Sequence, residues 1–218
     1  MHIPDGFISP KVFVPAYGVA AWLWLQALKK IKQVLNEEVL PFLSVTTAFS
    51  FILMMVVVPL PGGTTVHAMG IGILAVLFGP HVAFLCISLV LLIQALFFGN
   101  GGITTLPINA IAIGYLGGWC IHLFSKIFKR YEKMTMFVGP FLAVMVAAGV
   151  VAVVLGIQPL IAHNAEGKPL FFPFGLNITL PAVLIPNAIV GVAEGVLTVI
   201  AVKVIRTFDK GNILEGKN

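Results

Sequence analysis

The stretch VHAMGIGILAVLFG (residues 66–79) decides how many times this chain crosses its apolar surroundings. At about 14 residues it falls short of the roughly 20 apolar residues that a membrane-spanning helix needs. Yet it runs directly into PHVAFLCISLVLLIQALFF (residues 80–98), which has the length by itself. Further apolar runs lie at about 12–28, 39–59, 107–125, 134–157 and 180–206, making seven segments in all. Charge parity arbitrates. Three basic clusters punctuate the chain: Lys29, Lys30 and Lys32; Lys126, Lys129, Arg130 and Lys133; and Lys203, Arg206 and Lys210. If residues 66–79 cross, all three clusters fall on one side, and the excess of Lys and Arg in cytoplasmic loops makes that side the inside. If they do not, the second and third clusters land opposite the first. The expectation is an all-α integral membrane protein with seven transmembrane helices, N-terminus outside and C-terminus cytoplasmic.

Composition agrees. The 218 residues are 59% hydrophobic and 10% charged, whereas globular domains carry roughly 25% charged residues. A single membrane-embedded domain over residues 1–218 is expected, with lipid around it. The net charge of +5 sits in loop clusters, which argues against a nucleic-acid face. Cys86 and Cys120 lie inside apolar runs without metal-type spacing, so neither a disulfide framework nor a zinc site is indicated. Residues 1–10 lack a basic n-region and no small-residue cleavage site follows the first apolar run, so the expected mature terminus is Met1. His2 is too large a second residue for removal of that methionine.

The seven-span topology gathers residues 1–7, 59–66, 99–106 and 158–179 at the outer face. The last of these, with Pro169, Phe171, Phe172, Pro173 and Phe174, reads either as a lid or as an interfacial aromatic anchor. Gly114-x-x-x-Gly118 and Gly191-x-x-x-Gly195 mark close helix approach. Of the five histidines, His2, His67 and His163 belong to the outer face; His81 and His122 sit at inner helix ends, where caps and headgroup contacts are usual.

The opening MHIPDGF is the unusual part of so apolar a chain. A free Met1 amine, the His2 amide nitrogen and the His2 imidazole Nδ1 can bind one metal ion through five- and six-membered chelate rings. Ni(II) and Cu(II) suit such a planar nitrogen field, whereas zinc favours tetrahedral sites. One corner stays open. Pro59-Leu60-Pro61-Gly62-Gly63-Thr64-Thr65-Val66-His67 offers an imidazole to fill it, on irregular backbone that a cavity or protein must surround. Pro4-Asp5-Gly6 is a turn signal that can fold the first residues back toward His67.

MHIPDGF, VPLPGGTTVHAMG and LLIQALFFGNGGITTLPINA together resemble the NikM/CbiM family, substrate-binding (S) components of energy-coupling factor (ECF) transporters for nickel and cobalt. The resemblance covers most of the chain. It implies a seven-helix bundle in a prokaryotic inner or plasma membrane, with the N-terminus inserted into its outer half. The implied metal ligands are the Met1 amine, the His2 amide nitrogen and imidazole, and the His67 imidazole, with Ni2+ or Co2+ as bound substrate. The implied partners are a transmembrane coupling (T) subunit, two ATP-binding-cassette ATPase subunits and a separate small NikN/CbiN-type membrane subunit.

Other polar residues are candidates for support. Asp5, Gln94, Thr104 and Asn109 could form a second shell that orients the histidines, although ordinary interhelical hydrogen bonds are the competing reading. Glu194 is an acid deep in an apolar segment, where an ionisable group suggests function; a protonated or hydrogen-bonded carboxyl inside the Gly191–Gly195 helix contact is the expectation, too far inward to touch an outer-face metal. The tail from Gly211 to Asn218 imitates a phosphate loop but lacks the Ser/Thr and the following helix. ATP hydrolysis must then come from other chains, no catalytic residues are expected and no cofactor is called for. The competing functions are an S component for an organic solute, and a membrane metalloenzyme. The second would want three protein ligands with an acid–base group beside them, and no HExxH appears.

Overall fold

The computed structural model describes residues 2–59 and 65–209. Met1, residues 60–64, Lys210 and the tail from Gly211 to Asn218 lie outside the described residues. The fold is a helical bundle. Helix α1 (Pro10–Val34) opens with Pro10 in its first turn, where the missing N–H costs nothing. Asn36 accepts a hydrogen bond from the Val39 N–H at 2.8 Å and so begins α2 (Val39–Met55). A short antiparallel hairpin, β1 (Val58–Pro59) with β2 (Thr65–Val66), follows. Then come α3 (Ile71–Ile93), a π-helical turn (Gln94–Phe98), α4 (Leu106–Asn109), a second π turn (Ala110–Leu116) and α5 (Gly117–Ile127). Helices α6 (Glu132–Gly156), α7 (Gln158–Ile161) and α8 (Leu176–Phe208) complete the chain.

Among the described residues, four helical stretches are long and apolar enough to cross a membrane: Ile71–Phe98, Leu106–Ile127, Glu132–Ile161 and Leu176–Phe208. The protein is therefore a multi-pass, mostly helical membrane protein. The difference from seven segments has physical causes. Helix α1 has the length, but Tyr17, Trp22, Trp24 and Gln26 dilute its apolar character. Helix α2 has 17 residues, at the lower limit for a span. Residues 71–78 and 80–98 form one helical stretch interrupted only at Gly79.

That interruption is a reversal. Gly79 has φ 80° and ψ 170°, a conformation open to glycine alone, and Pro80 follows it. Ile71 packs on Gly117, and Ala75 and Val76 share a cavity with Ile121 and His122. Beyond the break the sense inverts: Pro80 packs on Gly118 and Phe84 on Gly114. So residues 71–78 are a half-length helix, and the irregular arm at 67–70 leads down to it from the hairpin. Sixteen of the 23 residues of α3 are buried, as a centrally placed helix requires.

Both small-residue motifs permit close approach. A Cβ at Gly195 would lie 2.6 Å from the Phe137 carbonyl oxygen, and one at Gly118 3.3 Å from that of Pro80. The outward faces of α1 and α8 carry Val14, Trp22, Leu25, Ile185 and Ile189 exposed, the surface a lipid environment demands. At one end of the bundle, Arg206 pairs with Glu132, and both line a cavity with Lys126 and Lys129. The N-terminal segment and the loops at 99–105 and 162–175 gather at the other end.

Candidate metal centre

The first residues form a strap laid across the bundle end, and each part of it has a partner far along the chain. Asn109 grips Ile3 twice: its Oδ1 accepts from the Ile3 N–H at 3.0 Å, and its Nδ2 donates to the Ile3 carbonyl at 3.1 Å. Thr105 donates its hydroxyl to the same carbonyl. The Asp5 carboxylate accepts from the backbone N–H of Ile103 at 3.1 Å and of Thr104 at 2.9 Å, and from the Thr104 hydroxyl. Ser9 N–H donates to Gln158 Oε1 at 2.9 Å. Ile3 and Ile8 are completely buried, each contributing about 1.5–3 kcal/mol relative to an exposed side chain. Phe172 closes over the strap, donating its N–H to the Phe7 carbonyl at 3.3 Å and packing its ring on that of Phe7. Within the aromatic loop, then, Phe172 acts as a cover, while Leu170 and Phe174 stay exposed.

The glycine run at 99–102 makes the approach possible. Gly101 adopts φ +82°, and a Cβ there would meet His2 Cβ at 3.5 Å. At Gly102 a Cβ would fall 2.2 Å from Asp5 Oδ1, so any side chain would expel the strap.

The strap brings His2 against His67. Their rings lie 4.4 Å apart between centroids, tilted by 52°. His2 is 8% exposed and His67 3%. Burial, helped by the neighbouring His67, holds the His2 imidazole well below the usual histidine range and so in its neutral form. Neutral imidazole is the ligating form. His67 Nδ1 lies 3.1 Å from the Ala68 carbonyl, which places the proton on Nδ1 and the ring's lone pair on Nε2. His2 Nδ1 faces Asn100 Oδ1 at 3.4 Å, the outer limit of a hydrogen bond. His2 Nε2 is buried with no hydrogen-bond partner among the described residues, an arrangement that costs about 1–3 kcal/mol.

Of the residues singled out from sequence, His2 and His67 meet, while Met1 lies outside the described residues. Asn109 acts on the strap's backbone beside His2, and Asp5 with Thr104 locks the strap to the glycine loop; none of the three contacts an imidazole in a described hydrogen bond. Gln94 is fully buried, and neither polar atom of its amide has a partner among the described residues. His163 is exposed in its loop, bonded to the Asn164 carbonyl. Asn100, Thr105 and Gln158 were missed. The sequence signal for Asn100 was its place between Gly99 and Gly101. Among the described residues, no three His, Cys, Asp or Glu side chains converge as a metal cluster.

The CbiM family, described as "Cobalt uptake substrate-specific transmembrane region", matches residues 2–211. A probable fused nickel transport protein, LarMN of Lactiplantibacillus plantarum, is 38% identical over 99% of this chain and 67% of its own length. A fused nickel transport protein, NikMN of Rhodobacter capsulatus, is 38% identical over 91% of this chain and 59% of its own. The chain thus spans about two thirds or less of these two relatives. A crystal structure of a transition metal transporter superposes with a TM-score of 0.91 at 34% identity, covering 98% of this chain and 96% of that one.

Proposed function

The chain belongs to the CbiM family of cobalt-uptake transmembrane regions, and from that premise we propose an S component that captures Ni(II), and next Co(II), at the outer face for ATP-driven import. The observation that carries the reading is the buried His2–His67 pair, its rings 4.4 Å apart between centroids. Two imidazoles alone make a weak site. Adding the Met1 amine and the His2 amide nitrogen gives four nitrogens, a planar set in which Ni(II) can displace the amide proton. Coordination through His2 Nδ1 exchanges the long contact with Asn100 for a metal bond. The His67 Nε2 lone pair fills the fourth corner, with the Nδ1–H···Ala68 carbonyl bond fixing the tautomer.

In this reading the whole chain is one domain that crosses the membrane seven times, with the arm at 67–70 and the half-helix at 71–78 together making the third crossing. The grouping of Lys126, Lys129 and Arg206 at one end and the strap at the other supports an outer N-terminus and a cytoplasmic C-terminus. The host membrane is the prokaryotic inner or plasma membrane. The protein catalyses no covalent step; a coupling subunit and two ATPase chains supply energy, with a small NikN/CbiN-type subunit assisting. Titrating Ni(II) into purified protein with its native terminus tests the site. Tight binding with a diamagnetic, yellow complex is expected; a paramagnetic six-coordinate complex would reject the planar site. Outside labelling of single cysteines, in a background without Cys86 and Cys120, should reach position 168 and fail at 129.

A further inference from the structure

Glu194 lies in the middle of α8 and is 1% exposed. Its carboxylate leaves its own helix pair and crosses to the arm that carries His67. Oε2 accepts from the Met69 N–H at 2.8 Å, and Oε1 from the Gly72 N–H at 3.3 Å. One side chain therefore holds both flanks of the turn through Gly70, where the arm becomes the half-helix. The first N–H groups of a helix have no acceptor within it. Inside an apolar bundle water cannot serve them, and a carboxylate at that end also opposes the helix dipole.

The turn is confined on its other sides. Gly70 stands at φ +70°, where a Cβ would clash with Ser50 Oγ; the Ser50 hydroxyl donates to the Thr46 carbonyl at 3.1 Å and lies 3.5 Å from that of Gly70. A Cβ at Gly72 would come 2.1 Å from Thr198 Oγ1 and 2.7 Å from Pro140. Helices α2, α6 and α8 thus form the seat, and Glu194 supplies its charged contact. Met69 is two residues beyond His67, so the seat determines where that imidazole stands relative to His2.

We propose that Glu194 is a positioning residue for the metal centre: it holds the His67 arm at the depth where the two imidazoles share one ion, without ligating it. The inference rests on the cargo reading given above. Both carboxylate oxygens are engaged by backbone N–H groups, which separates this role from that of a ligand. In Glu194→Gln one oxygen becomes an NH2 that faces an N–H and cannot accept its bond.

The test uses the full chain in detergent, titrated with Ni(II) by calorimetry and followed by visible absorption, with circular dichroism as the check on folding. Glu194→Gln should keep its helical signal and lose affinity about tenfold or more, the scale seen for groups that orient metal ligands. At saturation its visible band should match the wild type, because the four nitrogens are unchanged. Wild-type affinity in Glu194→Gln would overturn the positioning role. A band displaced as in His67→Ala would overturn it too, by making Glu194 part of the ligand set. If Glu194→Gln does not fold, Glu194→Asp decides: it keeps the charge, shortens the reach by one methylene, and should bind more weakly than wild type with the same band. Unaltered affinity there overturns the proposal. Failure of the wild type to bind Ni(II) at all would reject the cargo reading instead, a result distinguishable from all of these.

Discussion

Two places in this molecule gather a pair of histidines, and they differ in what the rings touch and how deeply they are buried. At one end His2 and His67 face each other at 4.4 Å. Elsewhere His81 and His122 each meet the Trp119 ring edge-on, with centroids 5.4 and 5.5 Å away. The first pair is buried and carried on segments held by side chains from distant helices. The second is only half-buried and carried on the helices themselves. Two imidazoles in one neighbourhood are therefore not equivalent settings: the first pair packs ring on ring out of solvent, the second packs on an indole and stays half-open.

The largest effect should come from the terminus. Residues added before Met1, or acetylation of its amine, remove a lone pair and a chelate ring, so nickel affinity should fall by more than about a hundredfold, beyond the range for merely supporting groups. Calorimetry of the extended chain checks this, and unchanged affinity would discard the proposed site. His2→Ala should cost at least as much as His67→Ala, each near about a hundredfold. In His67→Ala water fills the vacated corner with a weaker field, and the visible band should move to lower energy. The double variant should lose less than the two single losses combined, since both residues act on one ion.

A pH series sharpens the contrast next. Because burial holds the His2 imidazole well below the usual histidine range, that ring has no proton to lose near neutrality. Binding should release protons only from the amine and the amide, so affinity should rise with pH by about one to two decades per pH unit between roughly 6 and 8. A steeper rise would show protonated histidines. The sign for folding follows from the same shift. Just below the unfolded value near 6.5, the unfolded chain binds more protons at His2, so the metal-free protein should lose stability as pH falls through 6.5. Thermal melts across that window measure it.

Smaller effects should follow in the strap. Asp5→Ala removes the acceptor for two backbone N–H groups and the Thr104 hydroxyl, and should weaken nickel binding by about tenfold with the visible band unmoved. At the bottom of the scale, His122→Ala and His163→Ala should change neither affinity nor spectrum. A loss at His122 would mean that the Trp119 cluster handles metal after all.

Much of this was legible in the chain. Apolar runs located the helices, and the boundary drawn between residues 79 and 80 falls where the structure breaks at Gly79. His2 and His67 could be paired because their chemistry is tied to a chain end and to a Pro/Gly-rich loop. What stayed hidden depends on contacts about a hundred or more residues apart, which leave no period in a single sequence: Asn100 on His2, Thr105 on Ile3, Gln158 on Ser9. Glu194 stood out as an intramembrane acid, but its partners were misjudged. The third segment was read as helical from His67, near the membrane edge, whereas the helix begins only at Ile71. Four residues of irregular arm carry the chain inward, and α8 meets it there.

The strap has a consequence in time as well as in space. If the first two residues carry the ion, cargo and closure are the same object, because no separate door shuts over a waiting site. The strap is fastened at Ile3 by Asn109 and Thr105, at Asp5 by the loop after Gly101, and at Ser9 by Gln158. An ion's residence time would then equal the lifetime of that fastening, and whatever partner shifts the loops at 100–105 or 158–175 would set the clock of release.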